Sequence, residues 1–142
     1  MKSTLIILIS LIGIAAFSSC KKDKTLDTDI TDYEWELKSV TIDGNKDKRP
    51  NENFHHPKAY VLIFENDTMF WLHLSSNSSG GKYTIPTKGI VEIDTYSNLT
   101  EIAMTDFDNK LMSVFNEMTA YTVKGKTLTF KGNNNEVEFR KK

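Results

Sequence analysis

The stretch that decides the fold is FDNKLMSVFNEMTAYTVKGKTLTFKGNNNEVEFR, residues 107–140. Its first part carries apolar residues at the spacing of one helical stripe, namely Phe107, Leu111, Val114, Phe115 and Met118. Apolar residues then alternate with Thr, Lys and Glu on both sides of Gly125 and of the GNNN segment, as in two successive hairpins. The stretch therefore predicts one amphipathic helix near the C terminus, followed by antiparallel strands.

Similar alternation runs upstream of the helix. YEWEL (33–37) places its apolar residues on one face, and the change of phase before Val40 predicts a bulge near Ser39. YVLIF (60–64) and MFWLHL (69–74) are instead continuous apolar runs, which predict a hairpin across ENDT with both faces covered. KYTI and IVEI predict a second hairpin across PTKG.

The polar stretches DGNKDKRPNENFHHP (43–57) and SSNSSGG (75–81) are typical of loops. Strands and helices do not alternate along the chain, which argues against a parallel sheet. We therefore predict a mainly β (α+β) domain over residues 33–142. It is an antiparallel curved sheet or small barrel of about seven or eight strands, with one amphipathic helix near the C terminus.

The N-terminal segment differs from the rest of the chain. Residues 5–17 (LIILISLIGIAAF) form a 13-residue apolar run. This is shorter than the ~20 helical residues that a bilayer span needs, and it suits the apolar core of a secretory signal. Ser18, Ser19 and Cys20 follow, and then KKDK. This arrangement resembles the lipobox of bacterial lipoproteins, in the serine-rich form found in Bacteroidetes.

The lipobox resemblance implies a signal peptide over residues 1–19 and a Cys20 that carries a diacylglycerol and an acyl chain such as palmitate. Residues 20–32 would be the lipidated Cys and a polar tether, and the membrane would be the first partner. Lys21 stands where an inner-membrane retention signal has Asp, which favours the outer membrane. The periplasmic face and the cell surface both remain open. The alternative is an ordinary secreted protein with a free Cys.

Composition and motifs argue against several function classes. Eighteen Lys and Arg against 19 Asp and Glu give no basic footprint for nucleic acid. No nucleophile elbow, zinc-protease motif or phosphate-binding loop occurs, so we expect no enzymatic activity and no cofactor. His55 and His56 are adjacent without further ligands at a metal spacing, so we expect solvated loop histidines and no metal. Two acidic pairs are interpreted as edge or surface charge: Glu34 with Glu36, and Glu136 with Glu138.

Four segments together resemble the META domain family, also described as heat-shock HslJ-like: WELKSVTIDG (35–44), NSSGGKY (77–83), TEIAM (100–104) and FDNKLMSVFNEMTAYTVKGKTLTF (107–130). The resemblance implies an envelope lipoprotein linked to stress, with no established catalytic activity and no agreed ligand. Family members often carry Cys before the Asn and before the helix. Ser76 and residues such as Met104 or Thr105 stand there, so we expect no disulfide or thiol role. Gly81 is expected to supply a positive φ in a loop.

These features lead to one functional expectation with an alternative. We expect a monomeric, non-enzymatic, lipid-anchored envelope protein that acts by binding in stress response or envelope maintenance. The alternative is a lipocalin-like lipoprotein that holds a small apolar ligand inside its barrel, and an envelope hydrolase is a third reading. A pocket or surface patch is expected at Trp71, His73, Asn77 and Tyr83. The barrel interior distinguishes the binding protein from the carrier, because a carrier needs an open cavity there and a small barrel without a ligand is filled with side chains.

Overall fold

The computed structural model describes residues 29–51, 54, 56–98 and 102–142. Cys20, the signal segment and His55 lie outside these residues. The helix α1 spans Asp106–Phe115. The strands are β1 Trp35–Ile42, β2 Asn45–Lys48, β3 Val61–Phe64, β4 Met69–His73, β5 Ser78–Thr84, β6 Glu92–Asn98, β7 Ala120–Lys124, β8 Thr127–Gly132 and β9 Asn135–Lys141.

All strands belong to one antiparallel sheet that curls into a half-barrel. The hydrogen-bonded order is β6-β5-β4-β3-β1-β9-β8-β7, and β2 pairs with β1 beside this path. The segment just before β6 meets β7, so the first and last strands of this order come together at one place. There Ile90 bridges Ala120, and the Tyr121 amide donates to the Gly89 carbonyl at 2.9 Å. The prediction of a mainly β fold with one helix is confirmed. In the part of the chain described here, no helix has the length and apolar character to cross a bilayer.

The predicted loop over residues 43–57 contains a strand, β2, and there the prediction was wrong. Its residues are polar, and it forms because its backbone pairs with β1, for example Val40 with Asp47. Asp43 and Gly44 connect the two strands with φ of 49° and 81°, as a type I′ hairpin turn requires. The Asp-Gly pair was a usable turn signal, although no apolar alternation follows it.

Helix α1 begins with a capping box. The Thr105 hydroxyl accepts from the Asp108 amide at 3.1 Å, and the Asp108 carboxylate accepts from the Thr105 amide at 3.2 Å. Leu111, Val114 and Phe115 are buried on the side that faces the sheet. The stripe predicted from the sequence therefore attaches the helix to the inner face of the curl.

The predicted bulge lies at Lys38. Leu37 pairs with Phe139, but Ser39 pairs with the next residue of β9, Glu138, so that Lys38 is the additional residue. The bulge places Ser39 on the outer face of the sheet. Ser39 is nevertheless only 2% exposed.

Gly81 has a different role from the one expected. It lies within β5 opposite Phe70, and its φ is not positive. A Cβ at this position would overlap the Asp94 carbonyl oxygen and approach the Phe70 ring to 2.7 Å. Gly81 therefore makes room for a core aromatic ring. The last part of the expected loop, residues 78–81, forms the start of the strand β5 instead.

The acidic side chains of β1 and β9 are not at an edge, since these two strands are central neighbours in the sheet. They are paired with cations on the outer face: Glu136 contacts Lys131 at 3.1 Å, and Glu138 contacts Lys46 at 3.5 Å. Of the two interpretations, surface charge is confirmed by these pairs, and edge charge was wrong because the strand order could not be known from the sequence. Surface ion pairs of this kind each contribute about 0–1 kcal/mol.

Candidate binding site

The inside of the curl is filled by aromatic rings. The Phe115 centroid lies 5.7 Å from Phe70, 5.8 Å from Phe130 and 6.3 Å from Phe139, and all four residues are at most 1% exposed. Edge-on contacts at these distances are the usual packing of a close-packed core. Side chains thus occupy the place where a carrier of the lipocalin type would hold its ligand.

The four residues of the expected patch do not lie together in the structure. Trp71 and His73 lie together on the outer face of β4. Tyr83 is buried on the inner side, and its hydroxyl donates to the Asn66 carbonyl at 2.7 Å. Asn77 is also buried, and its amide donates to the Ile102 carbonyl at 2.9 Å. The four residues therefore do not line one pocket.

Trp71 has a fixed orientation on the outer face. Its ring lies against Gly80, where an added Cβ would come within 3.0 to 3.3 Å of three ring carbons. Its Nε1–H donates to the Glu65 carboxylate at 2.9 Å. The indole is half-buried, with its ring against Gly80 and its N–H bonded to Glu65, so its orientation on the outer surface is fixed.

His73 stacks on His56, with ring centroids 4.4 Å apart and planes 20° apart. The Nδ1 of His73 also lies 2.7 Å from the Ser78 hydroxyl. Burial, followed by the positive charges of His56 and Lys58, lowers the pKa of His73 to about 4. His56 lies in a loop as expected but is half-buried, and its stacking on His73 was not expected because only the fold brings the two residues together. Among the described residues no group of three potential metal ligands occurs.

The low pKa of His73 makes stability depend on pH. The unfolded side chain, with a pKa near 6.5, binds a proton more readily than the folded one, so stability is lost as pH falls from 6.5 towards 4. Between about pH 7 and about pH 5, we expect the free energy of unfolding to fall by about 1 kcal/mol more than in a His73→Gln variant. Urea unfolding of both proteins measures this difference. Equal pH dependence would show that the imidazole is not responsible.

An open groove lies elsewhere on the outer face, between β1, β2, β9 and the chain that follows β2. Its volume of about 480 Å³ is within the usual range of ligand sites. Charged side chains line most of it: Glu36, Lys38, Lys46, Lys48, Arg49, Glu138 and Arg140. Ser39 and Phe54 also belong to its lining. The sequence analysis did not identify this groove, because its residues come from three separate parts of the chain.

Arg49 is the most constrained residue of the groove. One Nη donates to Glu36 at 2.6 Å and the other to the Ala59 carbonyl at 3.2 Å. The guanidinium carbon lies 5.7 Å from the Phe54 ring centroid and 5.8 Å from that of Tyr60, which are cation–π distances. Four contacts therefore hold the guanidinium in place.

Glu36 joins Arg49 to the neighbouring strand. Its second carboxylate oxygen accepts from Arg140 at 3.1 Å. Burial alone would raise the pKa of Glu36, but the hydrogen bonds and charges of Arg49 and Arg140 outweigh it and hold the pKa below its usual range. Glu36 is therefore ionised at neutral pH and is fully engaged by the two arginines.

A second polar cluster lies inside the fold, around the Asp108 carboxylate. Asp108 is 0% exposed and accepts from the Ser75 hydroxyl at 2.5 Å and from the Ser75 amide at 3.2 Å. Burial, followed by the hydrogen bond with Asp108, raises the pKa of Tyr60 to about 12. This cluster is closed to solvent, so its role is to attach the start of the helix to the sheet.

Comparisons with known proteins agree with this architecture. A solved structure of a DUF4847 family protein from Bacteroides vulgatus ATCC 8482 is similar, with a TM-score of 0.57 and 14% identity. The alignment covers 78% of this chain and 92% of that one, and at this identity it shows the fold alone. No curated protein matches the chain. The META domain family matches residues 28–142, which is most of the sequence. The chain therefore belongs to the META domain family.

Proposed function

We propose that this META domain protein is held in the cell envelope by a lipid on Cys20 and acts there by binding, in stress response or envelope maintenance. The observation that supports binding at the surface is the contrast between the filled interior and the open outer groove. It also disfavours the lipocalin-like alternative, which needs space within the curl. The absence of catalytic motifs from the sequence supports a non-enzymatic role.

The proposed anchor would keep the domain close to the membrane. Only eight residues separate Cys20 from Asp29, where the described chain begins. Fully extended, eight residues reach about 30 Å. Ile30 is already packed into the domain at 1% exposure, and its carbonyl accepts from the Trp35 indole at 2.7 Å. We therefore propose that the domain binds its target near the membrane surface, in the outer membrane of the envelope.

Replacing Cys20 by Ala should release the protein from the membrane fraction. Stable attachment requires two or more acyl chains, since a single chain binds only marginally, and the substitution removes the sulfur that carries the diacylglycerol. Fractionation of cells with and without detergent measures the distribution. Ser19→Ala is the matched control, because a small residue still precedes the Cys, and it should remain in the membrane fraction. Equal solubility of the wild type and Cys20→Ala would contradict lipid anchoring.

A further inference from the structure

We propose that the outer groove is a binding site for a phosphate-type oxyanion. This inference rests on the proposed function, since it specifies the ligand class of the binding surface. The site consists of the bulged part of β1, the strand β2, the anchored Arg49 and the facing residues of β9. Three independent properties support it: the net charge, the unpartnered polar atoms and the rigidity of Arg49.

The charge of the groove is positive. Five cationic residues and two carboxylates line it, which gives a net charge of +3. Both carboxylates are already paired, Glu36 with two arginines and Glu138 with Lys46. Lys38 and Lys48 have no ion pair within the described part of the chain. A dianionic phosphate compensates this charge better than a monoanionic carboxylate does.

Two buried polar atoms of the groove residues have no hydrogen-bond partner. They are the hydroxyl oxygen of Ser39 and the Nε of Arg49, two of four such side-chain atoms in the described chain. Unpartnered buried donors are rare because they cost free energy, and a bound ion is one of the partners that can complete their bonding. Both groups belong to residues that line the groove, and both can donate to a phosphate oxygen.

The local structure explains why these donors are free. Each Nη of Arg49 makes one hydrogen bond, which fixes the guanidinium, and its buried Nε–H has no partner. The bulge at Lys38 shifts the register so that Ser39 faces the groove from the floor of the sheet. Bulges commonly redirect side chains at binding sites, and arginine is well suited to phosphate oxygens.

Calorimetric titration of the purified full chain with inorganic phosphate, at constant ionic strength, tests this inference. We expect saturable binding by the wild type. The double variant Lys38→Gln/Lys48→Gln should bind about tenfold more weakly, because two unpaired charges beside the ligand are lost. Lys124→Gln/Lys126→Gln removes the same charge from exposed positions outside the groove and should bind as the wild type does.

Ser39→Ala is a second variant that tests the floor of the groove. The substitution removes only an unpartnered hydroxyl, so the unfolding temperature without phosphate should not fall. Phosphate affinity should nevertheless decrease several-fold, because one donor to the oxyanion is lost. Unchanged affinity in both Ser39→Ala and Lys38→Gln/Lys48→Gln would overturn the proposed site, as would the absence of saturable binding by the wild type.

Two further probes identify the source of the phosphate. Displacement of inorganic phosphate by glycerol 3-phosphate, but not by dihexanoyl phosphatidic acid, would support a soluble phosphate ester. Displacement by the short-chain lipid would support a phospholipid headgroup, which a membrane-anchored domain can reach. The Cys20→Ala fractionation is independent of these titrations. A failed titration with intact anchoring therefore overturns this inference alone.

Discussion

Replacing Asp108 by Ala should lower the free energy of unfolding by about 3–4 kcal/mol. The carboxylate is fully buried and accepts from the Ser75 hydroxyl, the Ser75 amide and the Thr105 amide. Removing it leaves these donors buried without partners, and the Tyr60 hydroxyl loses its neighbour as well. The capping box of α1 is lost in the same step. Urea unfolding followed by tryptophan fluorescence measures the change.

Asp106→Ala is the matched control. Asp106 is also acidic and lies in the first turn of α1, but it is exposed. It contributes only the favourable interaction of an acidic group with the helix N terminus, about 0.3–1 kcal/mol. A loss of similar size in both variants would mean that the negative charge matters and that the buried hydrogen bonds do not.

The two aspartates show what the sequence reveals about the helix. The apolar period predicted α1, because that information is local. The sequence could not indicate which carboxylate is buried. Ser75, the main partner of Asp108, is 33 residues away and comes from a stretch that was interpreted only as a loop.

Elements with a strong local pattern were predicted, and those formed by tertiary pairing were missed. The β3–β4 hairpin follows from two continuous apolar runs, and the bulge near Ser39 follows from a change of phase in the apolar alternation. β2 carries no such pattern and exists because β1 supplies its hydrogen bonds. Gly81 was assigned to a loop for its flexibility, whereas the structure requires its small size against Phe70.

The groove was missed for a related reason. Its arginines, Arg49 and Arg140, are separated by about ninety positions and meet on the Glu36 carboxylate only because β1 and β9 are neighbours. Strand order is not encoded in a local period, so Glu36 could be interpreted only as surface charge. The stacking of His56 on His73 could not be predicted for the same reason, because it depends on the chain before β3 packing beside β4.

Replacing Phe115 by Ala should destabilise the protein by about 3–5 kcal/mol, as large-to-small changes of a core phenylalanine do. Its ring is 1% exposed and contacts three other phenylalanines, from β4, β8 and β9. It therefore joins the helix to both halves of the curled sheet. A cavity at this point removes contacts from all of these elements, and the urea unfolding midpoint should fall accordingly.

Phe107→Ala tests whether position rather than residue type determines the loss. Phe107 lies on the same helix but is half-buried, and its ring contact is with Tyr60 at 5.3 Å. We expect a loss of about 1–2 kcal/mol, because a partly exposed ring buries less apolar area and its site can collapse or admit water. Equal losses at Phe107 and Phe115 would contradict a core centred on Phe115. A larger loss at Phe107 would instead place the centre of stability at the start of the helix, beside Tyr60 and Asp108.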